Sequence, residues 1–298
     1  MKNPELGQMK SIPVSGGSLA TWSEGKGRPV IFLHGGPGDT HHYIKRMAAP
    51  LFDTFQCIFF DQRGTGLSEI KNREPIQFSL ELMLEDLLSV KNTYTSEPAM
   101  LVGHSWGAMY GLFACMNTPD HFERAALLNM GPLDEEAGGK TSENLLATLT
   151  GDEREHWTQL RKRRNAARDT GNSDEVTKCD RLMMNLRVKS WIFDPHLHKS
   201  FLEDYFQDPP PDRDVNKWVW DSLGNWFSWD RVKAATMPIW LCVGENDSVP
   251  VSQARRLNGL LPNSTLSIFE KCGHIPWMEH PAEFYSSIRQ FLIGSLNE

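Results

Sequence analysis

The sequence predicts an α/β fold, a mostly parallel sheet covered by helices, with an inserted helical cap. Three observations carry this expectation. First, short apolar runs of strand length alternate with segments of helical length along most of the chain, and buried strands separated by helices build a parallel sheet covered on both faces. Second, Ala99-Met100-Leu101-Val102 passes directly into Gly103-His104-Ser105-Trp106-Gly107 and then into the helical Ala108–Phe113. Third, between Asp134 and Phe227 the alternation gives way to polar helical stretches and a Pro209-Pro210-Pro211 break. The expected division is residues 1–133 as the first part of the core, 134–227 as the cap and 228–298 as the second part of the core.

The elements follow in chain order. Residues 10–22 read as an opening hairpin with Gly16-Gly17 at its turn. Pro29–Leu33 and Phe55–Phe60 are strands, and Leu80–Asn92 is a helix with apolar residues at 80, 82, 84, 87 and 88. Beyond the strand at Ala99 come Ala125–Asn129, then, after the insertion, Pro238–Val243 and Thr265–Phe269 as strands. Val251–Leu261 and Pro281–Leu296 are helices, the latter with proline in its first turn. Within the insertion, Arg161-Lys162-Arg163-Arg164 reads as a solvated helix face. The tryptophans at 191, 218, 220, 226 and 229 read first as the core of the cap, the alternative being that some line an apolar pocket above Ser105.

The chain has 298 residues, 40% of them hydrophobic, enough for a large core. A net charge of −7 argues against nucleic acid as a partner. The five cysteines are odd in number and lack C-x-x-C spacing. They read as buried thiols in a reducing compartment, with no zinc site and no disulfide framework. No metal or cofactor is expected. Residues 1–28 contain no apolar run before a cleavage site, and no stretch approaches 18 uncharged apolar residues. The expectation is a cytoplasmic protein with no membrane partner, and no oligomeric state is assigned.

The strand, G-x-S-x-G and helix succession makes Ser105 a nucleophile on a sharp turn, with Gly103 and Gly107 removing Cβ atoms that would collide with the neighbouring strand and helix. A serine nucleophile needs a base, and the base an orienting acid. On such a sheet the order along the chain is serine, acid, histidine. Asp247 lies in the loop Gly244–Pro250 after an apolar strand and is the preferred acid. Glu245 is its nearest rival and Asp134 a weaker one. His274 follows a glycine after the next strand and is the preferred base among ten histidines. His104 is expected to pack and His280 to begin the last helix. Two backbone donors should face the developing oxyanion. One is the amide of Trp106, and the other comes from His34-Gly35-Gly36-Pro37-Gly38, with Gly36 ahead of Gly35. Asp61-Gln62-Arg63-Gly64 is read as bracing that loop through hydrogen bonds and ion pairs.

Together, His34–Gly38, Asp61–Ser68, Gly103–Gly107, Trp229-Asp230, the Gly244–Pro250 loop and Cys272-Gly273-His274 resemble the α/β-hydrolase family containing the proline iminopeptidases. The resemblance covers roughly residues 10–133 and 228–298. It implies an α/β-hydrolase fold with a helical cap and a serine hydrolase releasing N-terminal residues from small peptides through an acyl-enzyme. A carboxylesterase or lactonase acting on a small apolar ester uses the same machinery, and a non-catalytic ligand-binding relative is the third reading. Relatives of this type carry an early cap motif Trp-x-x-Trp-Glu whose glutamate holds the substrate's ammonium. Here Trp157 is followed by Thr158-Gln159-Leu160-Arg161. Asp221, in Trp218-Val219-Trp220-Asp221, is the candidate acid for that role, with Trp220 beside it as a substrate contact; the alternative is that Asp221 caps a helix or faces solvent.

Overall fold

The computed structural model of the protein describes residues 8–224 and 227–294. Its centre is one sheet ordered β1-β2-β4-β3-β6-β7-β8-β9, with β5 paired to β2. β1 (Lys10–Val14) and β2 (Gly17–Glu24) form the expected hairpin, in register Val14 to Gly17. β2 also runs antiparallel to β4 (Phe55–Phe60) and to the short β5 (Glu69–Ile70). From β4 onwards every pairing is parallel: β3 (Arg28–Leu33), β6 (Ala99–His104), β7 (Phe122–Leu128), β8 (Ile239–Gly244) and β9 (Ser264–Phe269).

Alternate residues of each strand serve opposite cores, as the two-residue period of a strand requires. Ile31, Leu33, Leu101, Leu127 and Leu241 face α2 (Leu80–Tyr94), α3 (Trp106–Asn117) and α9 (Val251–Leu260). Val30, Phe32, Val102, Ala126 and Trp240 face α1 (His42–Ala48) and α11 (Pro281–Ile293). Gly294 ends α11 in the left-handed conformation at φ 102, so the helix stops short of the expected Leu296, which lies outside the described residues. β7 ends at Leu128, and Asn129 turns out of it at φ 42.

Between β7 and β8 the described residues contain helices and no strand: α4 (Glu135–Ala147), α5 (Gly151–Asp169), α6 (Ser173–Trp191), α7 (His198–Gln207) and α8 (Arg213–Ser222). Their starts are written locally. Asp134, Thr150, Asn172 and Asp212 each accept a backbone N–H of the first turn, and Glu153 completes a capping box with Thr150. Leu145, Leu149, Trp157, Leu160, Cys179 and Met183 give the insertion its own core. The basic run on α5 is only partly a solvated face. Arg161 and Lys162 are exposed, but Arg163 pairs with Glu175 and Arg164 with Asp180, because α6 packs alongside. All five cysteines are free and buried. Among the described residues, no helix is long and apolar enough to cross a membrane.

Candidate active site

Ser105 stands at the junction of β6 and α3 with φ 57 and ψ −118, a backbone conformation that non-glycine residues rarely hold and that clusters at functional sites. The turn is possible because its neighbours lack side chains. A Cβ on Gly103 would sit 2.3 Å from the Gly107 carbonyl oxygen, and one on Gly107 only 2.0 Å from the Leu33 carbonyl oxygen. The serine carbonyl accepts from the amides of Ala108 and Gly131, and its own N–H donates to Leu128, so the corner is tied to both sides.

Asp247 and His274 come from the loops after β8 and β9. The imidazole Nδ1 lies 2.7 Å from Asp247 Oδ2, and both residues are buried. Asp247 Oδ2 also accepts from Asn129 Nδ2 at 2.8 Å, and Oδ1 accepts from the amide of Val249 at 3.1 Å. These bonds fix the carboxylate's orientation. Glu245, by contrast, is exposed, and Asp134 caps α4 and accepts from the Trp229 indole.

The histidine loop is held from three directions. Asn129 Nδ2 donates to the Gly273 carbonyl at 3.0 Å, the Gly273 amide donates to Glu279, and the His274 amide donates to the Trp191 carbonyl at 2.6 Å. His104 packs, as expected, but it also links two loops. Gly35 N–H donates to Tyr43 Oη at 2.6 Å, and that hydroxyl can donate to His104 Nδ1, 3.0 Å away. His104 Nε2 then donates to the His274 carbonyl at 3.1 Å. Burial, reinforced by the neighbouring His274, holds the His104 pKa well below the usual imidazole value, which suits a neutral ring in one tautomer. Among the described residues no hydrogen bond joins Ser105 Oγ directly to His274; apo nucleophile–base contacts are commonly loose.

The glycine loop lies against the serine. A Cβ on Gly35 would be 3.4 Å from Ser105 Cβ. Since the Gly35 amide is committed to Tyr43, Gly36, at φ 113, is the glycine whose N–H suits an oxyanion. Trp106 opens α3, where first-turn amides have no partner within their own helix. Gln62 connects the two: its amide nitrogen donates to the His34 carbonyl at 2.8 Å, and its oxygen accepts from the Trp106 indole at 2.9 Å. Burial pulls the His34 pKa down to about 4, and the neutral ring accepts from the Gln62 amide. Asp61 does brace this region, accepting from the His41 amide and ring and from the Leu67 amide. Arg63 does not join it and pairs with Asp86 on α2.

The tryptophans split. Trp191 stacks on His274 with ring centroids 5.0 Å apart, and Trp220 lies 5.8 Å from Trp106. Trp218 packs on Phe78, and Trp229 packs on Phe227. Trp226 lies outside the described residues. Asp221 is not where the ammonium role requires it. Its side chain is 59% exposed and pairs with Lys217 one turn earlier on α8, because its side of that helix faces solvent. The carboxylate near the glycine loop is Asp39, whose Cγ would lie 3.4 Å from a Cβ on Gly36. Among the described residues no hydrogen bond or ion pair reaches it. Burial raises its pKa to about 6, with Arg213 opposing and Asp208 reinforcing the shift. Sequence reasoning passed over Asp39 because an acid after a Gly-Pro-Gly turn reads as ordinary turn chemistry. Asn129 and Tyr43 leave no local signature either, while Gln62 lies in the Asp61–Gly64 segment but was not singled out within it.

A parallel sheet that presents a serine on a strand–turn–helix corner, beside a buried Asp–His pair on later strand ends, defines the α/β-hydrolase class of fold. A model described as the alpha/beta hydrolase family matches residues 30–287, and the chain belongs to that family. It is 26% identical over 298 aligned residues to a proline iminopeptidase of Heyndrickxia coagulans, covering 94% of this chain and 97% of that one. Among solved structures it resembles a Mycobacterium smegmatis proline iminopeptidase at a TM-score of 0.71 and 19% identity, covering 97% and 98% of the two chains. It also resembles a thermophilic esterase from Thermogutta terrifontis, determined with malate bound, at a TM-score of 0.72 and 20% identity, over 97% and 99%.

Proposed function

We propose that the protein is a serine hydrolase acting on the free amino termini of small peptides, with α4–α8, residues 134–227, as the cap over its site. Ser105 attacks the scissile carbonyl, His274 takes its proton, and Asp247 holds the imidazole. The amides of Gly36 and Trp106 receive the oxyanion, and water then releases the acyl-enzyme. The arrangement that supports the chemistry is the buried, fully oriented Asp247–His274 pair beside a left-handed serine. The feature that favours an aminopeptidase is Asp39, a carboxylate at the glycine loop that no hydrogen bond or ion pair reaches among the described residues, and which would pair with the substrate's ammonium. Five buried free thiols are in keeping with a reducing compartment such as the cytoplasm.

The test is a paired assay of aminoacyl-arylamides with free and acetylated amines, alongside short aryl esters. Acetylation should abolish turnover. Asp39→Asn should raise KM for free-amine substrates about 30-fold, the cost of leaving a desolvated ammonium unpaired. The sign of the pH dependence follows from the raised pKa. Below about 6 the Asp39 carboxyl is neutral, so KM for free amines should fall as pH rises through about 6, and Asp39→Asn should flatten that dependence. The groups facing Asp39 are Arg213, Asp208, Tyr43 and Tyr205. Arg213 and Asp208 carry opposite charges, and both tyrosine pKa values are shifted upward.

Trp191 and Trp220 give the site two apolar walls, which favours a carboxylesterase or lactonase as the second reading. Equal cleavage of free and acetylated amides, or esters far exceeding both, would establish it. Failure of a fluorophosphonate to label Ser105 would leave the non-catalytic binding relative.

Asn129 is expected to matter in either enzyme reading, because one side-chain amide holds both the acid and the loop of the base. Asn129→Ala should lower kcat about 10- to 100-fold with little change in KM, as steady-state kinetics would show.

A further inference from the structure

The positive charge carried by the helical insertion on α5, α6 and α8 has no assigned role. Arg187 lies on α6 one turn before Trp191, the residue whose ring stacks on His274 and whose carbonyl accepts the His274 amide. Its guanidinium sits over the Trp191 ring at 5.5 Å and over the Trp157 ring at 5.6 Å. Among the described residues, no carboxylate pairs with it and no acceptor takes its N–H groups. The surroundings add to the excess. Arg213 and Arg164 share Asp180, at 2.8 and 3.4 Å, and Arg164 Nε is buried without a partner. Three guanidiniums thus stand against one paired carboxylate, an excess of two positive charges that a charged Asp39 beside Arg213 would reduce to one.

Burial, together with the charges of Arg213 and Arg164, pulls the Arg187 pKa below the ordinary arginine value, while Tyr205 and Asp180 oppose the shift. Arg187 is half-buried, and its nitrogens are not among the buried polar atoms left without a partner, so its N–H groups can be reached by an anionic ligand. Its planar fork, already fixed by two aromatic faces, is the geometry that takes a carboxylate by two hydrogen bonds.

We propose that Arg187 binds a free carboxylate carried by the substrate, so that the molecules turned over are short peptides with an unblocked C-terminus. This rests on the aminopeptidase reading above. The ammonium end would meet Asp39 at the glycine loop and the carboxylate end Arg187 on α6; the Tyr205 hydroxyl feels the charges of both. A short zwitterionic peptide would bring an ammonium to Asp39 and a carboxylate to Arg187, whereas a C-terminally amidated one would leave the guanidinium without its anion.

The experiment compares alanyl-alanine with its C-terminal amide. The wild-type kcat/KM for the free acid should exceed that for the amide about 30-fold or more. Arg187→Gln should bring the ratio close to one, Arg187→Lys should restore part of it, and a melting curve of each variant checks folding. Binding of the same two ligands to the Ser105→Ala protein, read by calorimetry, separates this proposal from the catalytic one. Preferential binding of the acid that disappears in the Ser105→Ala, Arg187→Gln double variant supports the carboxylate site even if no peptide is cleaved. Equal kcat/KM for acid and amide, equal binding of the two, or a preference that survives Arg187→Gln would overturn it. If Arg187→Gln does not fold, equal binding of acid and amide to Ser105→Ala still does so.

Discussion

Ser105→Ala should remove hydrolysis by a factor on the order of 10⁴ or more while leaving the melting transition in place. The loss is large because the serine supplies the covalent step, and the remaining groups act only through it. Leu128, Ala108 and Gly131 hold the corner through backbone hydrogen bonds, and His104 through its ring, without involving the hydroxyl, so the fold has no stake in Oγ. Asp247→Asn should be severe but milder, since His274 would lose the acceptor that fixes its tautomer at 2.7 Å. Glu245→Gln, at an exposed position, should change little. The check is kcat/KM on the best arylamide or ester together with fluorophosphonate labelling. Full activity in folded Ser105→Ala would reject the mechanism, and a larger loss from Glu245→Gln than from Asp247→Asn would mean that the acid is misassigned.

Gly107→Ala should destabilise the protein by about 3 kcal/mol or more and abolish activity with it. The added Cβ would stand 2.0 Å from the Leu33 carbonyl oxygen and 2.8 Å from that of His34. Both are backbone atoms of β3 and the loop that follows it, so neither can swing aside as a side chain would. Relief requires α3 to move away from β3, which pulls Trp106 from Gln62 and opens the hydrophobic face beneath α3. Gly139→Ala is the matched control. It lies inside α4 with nothing within 4 Å of the new Cβ, and should stabilise by about 0.5–1 kcal/mol through helix propensity. Urea unfolding of the two variants measures both. Midpoints that shift equally would show that the glycine is not required for packing.

The core was legible because its signal is local. Strand-length apolar runs such as Phe55–Phe60 and Ala99–His104 can only be buried on both faces. In the insertion, the helix starts at Asp134, Thr150 and Asp212 rest on equally local capping within three residues, although the sequence reading did not assign them. Ser105, Asp247 and His274 were nominated by the same means, each as a short motif at a strand end, and the fold sets the last two 2.7 Å apart. The last helix was drawn to Leu296, whereas Gly294 in the left-handed conformation ends it at Ile293.

What the sequence determined by itself was therefore the alternation of the main core strands and helices, the corner at Ser105 and the acid and histidine nominated with it, because each depends on residues adjacent in the chain. What only the tertiary structure decided was which charges lie together. Asp221 has the sequence neighbours of a pocket residue, yet Lys217 and solvent claim it. Asp39 and Arg187 are 148 positions apart and carry no motif, yet both influence the hydroxyl of Tyr205. Asn129 meets Asp247 across 118 positions and Gly273 across 144. Such contacts arise where the loops of parallel strands converge at one sheet edge beneath α6 and α8. Electrostatic cost depends on distance and burial in space, and neither is a function of separation along the chain.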